Sequence, residues 1–311
     1  MRSPWTAVSA AASLAAGILL LLWPPPVAAA PLAGAMPRAD RGHSTDDEEN
    51  DHDWRYLLRH ARPVISLQYG IGDPDRDGFG GDLAEVGSLG ILLGHRIERR
   101  YAGEEGLLHQ STHFAHVGNF ASRLASDLPE ASEVGTDMWR FGAGFGDGYG
   151  YRFASDRGRF VLQNSGTFGW HTLELEGSAV GVLSPADALS LEQFTSHTRF
   201  GESWESALEV GFGSMLSLHA GYERMAVFPS FKIWYWLLST GIDRGALAAI
   251  GFFVDGVADN SPYAAPVVRF LLQGALQYGF YELRQEEVHW PFDTEPPLAY
   301  DMFNIGLTTR F

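Results

Sequence analysis

From residue 63 onward the chain alternates apolar side chains with small or polar ones, and a period of two restricts it to β-strands before anything else is considered. Ile65, Leu67, Tyr69 and Ile71 oppose Ser66, Gln68 and Gly70. Leu89, Ile91, Leu93 and Ile97 oppose Ser88, Gly90, Gly94 and Arg96, with His95 as the single polar interruption of the apolar face. Trp139, Phe141, Ala143 and Phe145 form one such row and Tyr149, Tyr151 and Phe153 another. The glycine-rich stretch 144–150 between these two rows reads as a hairpin turn. Leu216, Leu218, Ala220 and Tyr222 oppose Ser217, His219, Gly221 and Glu223.

The second face decides the class. A soluble sandwich buries its apolar face and exposes a charged one, whereas here the other face is mostly Gly, Ser and Gln with scattered Arg, Glu and His. Small polar residues suit a narrow interior, so the pattern predicts an antiparallel transmembrane β-barrel, apolar outside and polar inside. The aromatic residues Tyr101, Trp139, Trp170 and Tyr222 near strand ends would lie at the interfaces. At ~10 residues per crossing plus connections, the chain after residue 62 supports about 8 to 12 strands with little free lumen. The rival is a secreted soluble β-domain with the same periodicity.

The last ten residues carry a resemblance. In Met302 to Phe311, positions 303, 305, 307, 309 and 311 are apolar or threonine, 304, 306, 308 and 310 are small or polar, and the chain stops on phenylalanine. This resembles the final strand of Gram-negative outer-membrane β-barrel proteins, whose terminal aromatic residue is read by the barrel-insertion machinery. The resemblance implies an outer-membrane location, with membrane lipids and the barrel-assembly machinery as partners.

The N-terminus fits export. Arg2 is the only charge before Arg38, Ile18 to Leu22 form an apolar centre, Pro24 to Pro26 end any helix, and small residues follow up to Ala35. Residues 1–35 therefore read as a signal peptide, with an uncleaved anchor helix as the rival. Residues 36–62 are an acidic flexible tether containing Asp46, Asp47, Glu48 and Glu49. The net charge is −16, Lys232 is the only lysine, and cysteine is absent. Nucleic acid is thus no expected partner, and thiolate chemistry is excluded.

Between residues 229 and 290 the period changes. Ile233 to Leu238 is apolar on every side, and Arg269, Gln273 and Gln277 form a polar stripe at four-residue spacing on an otherwise apolar stretch. Asp259-Asn260-Ser261-Pro262 stops one helix and restarts another. A helical hairpin follows before the last strand. Charges at Lys232, Asp243, Arg244, Asp255, Asp259 and Arg269 argue against membrane-spanning helices. The hairpin is expected to plug the barrel or cover its mouth, its polar stripe meeting interior charges, or else to lie in the membrane interface.

Two motifs could carry chemistry. His109, Ser111 and His113 share one strand face, which places a serine between two imidazoles. The arrangement resembles outer-membrane lipid-hydrolysing barrels, the lipid A deacylases and phospholipases, and the resemblance implies Ser111 as nucleophile and His109 as base. Those families follow the serine with asparagine and add an acidic or amide third member; Thr112 stands here, and the sequence identifies no third member. The plainer reading is a polar strand face lining the lumen. Asp73, Asp75 and Asp77 before Gly78 begin a calcium-loop pattern, but Ala84 occupies the place of the bidentate ligand. Calcium is the only cofactor the pattern suggests, and a surface turn explains it as well. The expected function is a non-enzymatic envelope barrel, either a narrow or plugged pore or a structural barrel, with the lipid hydrolase as the alternative.

Overall fold

The computed structural model describes residues 61–102, 104–126, 130–153 and 158–311. The expected signal peptide and almost all of the acidic tether lie outside them. Nine strands follow in order: β1 (Arg62–Asp75), β2 (Asp82–Leu83), β3 (Val86–Tyr101), β4 (Glu104–Ala121), β5 (Glu133–Phe153), β6 (Gly158–Glu176), β7 (Arg199–Phe212), β8 (Leu216–Val227) and β9 (Leu298–Arg310). Eight of them pair antiparallel with their neighbours, and the ring closes through β1–β9 and β5–β6, while β2 adds a two-residue parallel pairing to β5. The expected all-β barrel with a helical part is what forms.

The stretch 144–150 is not a hairpin turn. It lies inside β5, a single strand of 21 residues, and pairs on both sides without interruption. Glycine at alternate positions serves interior packing instead. A Cβ on Gly144 would come within 2.5 Å of the Phe114 ring, which needs that space inside the barrel.

Closure fixes the tilt. One circuit of the ladder leads from Ile65 through Leu93, Ala115, Ala143, Phe168, Glu202, Ala226 and Ala299 back to Asp75, a stagger of ten residues between positions 65 and 75. For eight strands that stagger corresponds to a tilt of about 40°. Both β1 and β9 meet the short β3–β4, β5–β6 and β7–β8 connections at one end, whereas the long connections gather at the other.

Alternation sorts the faces as the sequence suggests. Ile65, Leu67, Leu89, Ile91, Leu93, Phe303, Ile305 and Leu307 are exposed on the outer wall, and Ser66, Ser88, Asn304 and Thr308 are buried inside. The interior is filled. Toward the short-turn end, Arg96 donates to Glu209 at 2.7 Å, Arg159 reaches Glu209 and Glu98, and Arg310 bonds Glu98. Farther up, Arg140 donates to Glu223 at 2.6 Å and to Ser203 at 3.0 Å. Buried charges persist in such a place only when paired, as these are. An apolar cluster closes the long-loop end: Phe120, Met138, Met225, Tyr300 and Met302 face inward, and Phe194 packs among them. Phe194 comes from helix α1 (Pro185–Thr195) in the β6–β7 connection, whose start is fixed by Ser184 accepting from Asp187 N–H and by Pro185 in the first turn.

The helical hairpin between β8 and β9 comprises α2 (Ile233–Asn260) and α3 (Ala265–Glu286). It neither plugs the barrel nor covers its mouth. Its partners are outward-facing residues of the wall: Arg284 with Glu202, Gln273 with Asn164, Arg244 over Phe145 and Arg269 over Tyr149. The α2 helix leaves the long-loop end beside Phe200, where Trp236 lies 5.8 Å away, and the turn after it reaches the short-turn end, where Tyr151 donates to the Tyr263 carbonyl. Each helix therefore runs the height of the barrel against its outside. By length and composition α2 is apolar enough to cross a membrane, and Asp243, one of its charges, is buried.

Candidate active site on the outer wall

His109, Ser111 and His113 do share one face of β4, but it is the outer wall and not the lumen. The inward residues of this strand are Gln110, Thr112 and Phe114, all buried. Register places Arg99 and Tyr149 beside His109, Ile97 and Asp147 beside Ser111, and His95 and Phe145 beside His113. A polar island thus interrupts an apolar wall, and His95 and Arg99 on the outer face of β3 are part of it.

Within the island His109 Nε2 lies 3.3 Å from Asp147 Oδ1, and the imidazole stacks on the Tyr149 ring at 4.5 Å between centroids. Both contacts come from β5, two residues apart, so consecutive outward side chains of one strand clamp a histidine of the next. A carboxylate at Nε2 holds the proton there and leaves Nδ1 with the lone pair, the form a general base needs. Ser111 stands directly across the ladder from Asp147. The His109 and Asp147 side chains keep 28% and 52% of their surface exposed, so the island is open to a ligand.

Asp147 is the residue sequence reasoning passed over. Reading 144–150 as a turn removed it from the strand; continuing the alternation from Phe145 to Tyr149 puts it on their face. The proposed calcium residues are not gathered. Asp73 and Asp75 lie on the exposed outer edge of β1, Asp77 is in the turn beyond, and among the described residues no group of three His, Asp or Glu side chains is arranged to hold a metal.

No family model and no curated protein matches this chain. Solved structures do. The crystal structure of Neisserial surface protein A is similar with a TM-score of 0.35 and 11% identity, covering 80% of this chain and 97% of that one. Ail, the attachment invasion locus protein of Yersinia pestis, is similar with a TM-score of 0.31 and 9% identity, covering 81% of this chain and 99% of that one. Both are outer-membrane β-barrel proteins, and no residue role is carried over from either. With both edges of each of the eight ring strands paired, an apolar band outside and ion pairs within, the chain is built as a transmembrane β-barrel.

Proposed function

We propose that this outer-membrane barrel is a membrane-embedded hydrolase of lipid acyl esters, with Ser111 as nucleophile, His109 as general base and Asp147 as the group that orients the imidazole. The supporting observation is the 3.3 Å contact of His109 with Asp147 beside Ser111 on a wall that faces lipid. Attack requires Ser111 Oγ to swing to the imidazole, a tightening common when an unliganded site takes up substrate. His109 then accepts the hydroxyl proton as Oγ adds to the ester carbonyl, and returns it to the departing alcohol; water repeats the cycle on the acyl-enzyme.

Depth favours an ester. Following register and stagger from the middle of β1 puts mid-height near Ala115 on β4, so Ser111 lies about 10 Å toward the short-turn end. In a hydrocarbon layer ~30 Å thick, that is close to the boundary where acyl esters reside.

The test is fatty-acid release from phospholipid and lipid A by purified barrel, wild type against Ser111→Ala. Release that depends on Ser111 supports the reading; none from wild type ends it. A second reading, a purely structural envelope barrel, is favoured by the filled interior and gains from that negative result. A pore is disfavoured by the same interior, whose cavity near Arg140, Glu223 and Asn304 measures only about 40 Å³.

A further inference from the structure

Along the membrane normal the outer wall of β3 and β4 changes character in a fixed order. Ile91, Leu93 and Val117 stand exposed around mid-height. Ser111, with His109 and Asp147 beside it, follows about 10 Å toward the short-turn end. Arg99 comes next, partly exposed on the outer face of β3. It pairs with His109 across the ladder, while Ile97, two residues before it on the same face, pairs with Ser111. Two residues along a strand tilted ~40° descend about 5 Å, and each step across the ladder from β4 to β3 descends about 3 Å more, since eight such steps make up the ten-residue stagger. Arg99 therefore lies about 18 Å from mid-height, just beyond the edge of a hydrocarbon layer ~30 Å thick.

Acyl chain, ester and phosphate follow in the same order in a glycerophospholipid, where one glycerol unit separates the esters from the phosphate. A lipid whose headgroup faces the short-turn end thus meets the wall in register, with a chain along Leu93, Ile91 and Val117, an ester at Ser111 and the phosphate at Arg99, whose planar guanidinium matches phosphate oxygens. A lipid of the opposite leaflet is inverted. With its ester at Ser111 its phosphate would lie near mid-height against Leu93 and Val117, where an unpaired charge is costly. Short turns of such barrels are periplasmic and long loops extracellular. The favoured leaflet is therefore the periplasmic one, which in a Gram-negative outer membrane holds glycerophospholipid, while lipid A occupies the other.

Resting on the hydrolase reading of the Ser111 island, we propose that its substrate is a glycerophospholipid of the periplasmic leaflet, held by its phosphate at Arg99. Arg99 binds and selects, and takes no part in the proton relay. The bond broken is the acyl C–O bond of a glycerol ester. Water gives its hydroxyl to the acyl carbon and its proton to the glycerol oxygen, so the products are a free fatty acid and a lysophospholipid.

The experiment measures fatty-acid release by the full chain in mixed micelles from dioleoyl phosphatidylethanolamine, dioleoylglycerol and lipid A, comparing wild type, Arg99→Gln and Arg99→Lys. Expected is a preference of wild type for phospholipid over diacylglycerol of roughly tenfold in kcat/KM, lost in Arg99→Gln through a higher KM at unchanged kcat and partly restored in Arg99→Lys, which keeps the charge without the fork. Folding is checked by mobility in cold SDS. Should Arg99→Gln fail to fold, the wild-type preference is joined by a measurement in intact Gram-negative cells, where lysophospholipid accumulates with wild type, and not with Ser111→Ala, before any chelator disturbs the lipid A leaflet. Accumulation only after chelator, release from lipid A in preference to phospholipid, equal rates on phospholipid and diacylglycerol, or an unchanged preference in folded Arg99→Gln overturns the assignment and leaves the Ser111 chemistry standing. No release from any of the three substrates ends both.

Discussion

Arg284 of α3 and Glu202 of β7 meet at 2.7 Å outside the barrel wall, both almost completely buried. Arg284 also donates to Ser239 of α2 at 3.2 Å and covers the Trp204 ring at 4.8 Å, so one guanidinium ties both helices to one strand. Trp236 Nε1 donates to the other Glu202 oxygen at 3.4 Å. Removing one partner leaves a buried charge uncompensated, which costs about 3–5 kcal/mol. Glu202→Ala is therefore expected to lower the urea midpoint and to expose the hairpin to protease, while Glu202→Leu with Arg284→Met recovers most of the loss. Equal sensitivity of the single and double variants would refute this role.

The interior ion pairs make a second expectation. Wild-type protein reconstituted in planar bilayers should show no conductance steps, because Arg96, Glu209, Arg159 and Glu98 fill the cross-section toward the short-turn end. Discrete steps from wild type would contradict a filled lumen.

Kinetics can separate the members of the outer-wall island. If Asp147 orients His109, Asp147→Asn lowers acyl release by roughly 10²–10⁴ and Ser111→Ala by at least as much. The Ser111→Ala, Asp147→Asn pair should lose little beyond Ser111→Ala alone. Additive losses in the pair would mean that the two do not act as a unit.

A fourth expectation concerns pH at the long-loop rim. Burial, with Arg284 and Lys232 nearby, lowers the His289 pKa to about 4, and the ring packs edge-on to Phe228 while its Nε2 accepts from the Lys232 N–H. The unfolded chain takes up this proton near 6.5, the folded chain only near 4. The unfolded state thus binds more protons between those values, so this stability is complete above about 6.5 and is lost as pH falls through 4. Urea midpoints at pH 7.5 and 4.5 should differ more for wild type than for His289→Gln. An identical difference in both would remove His289 as the cause.

Much of this was legible in order along the chain. Alternation at Ile65–Ile71 and Leu89–Leu93 marked the outward faces, and the change of period after Phe228 marked the helices. The turn assigned to 144–150 went wrong because glycine signals both turns and close interior packing, and the Phe114 ring beside Gly144 on the neighbouring strand shows which applies here. The stripe of Arg269, Gln273 and Gln277 was visible, yet Arg269 and Gln273 proved to meet Tyr149 and Asn164 on the outer wall.

What the sequence by itself determined is which face each residue takes within its own element, because side-chain direction follows from local backbone geometry. Only the tertiary structure decided which faces meet. Closure of eight strands with a ten-residue stagger sets Asp147 beside His109 across the ladder and Glu202 beneath Arg284, pairings that depend on register around a ring and leave no trace in the spacing along one strand.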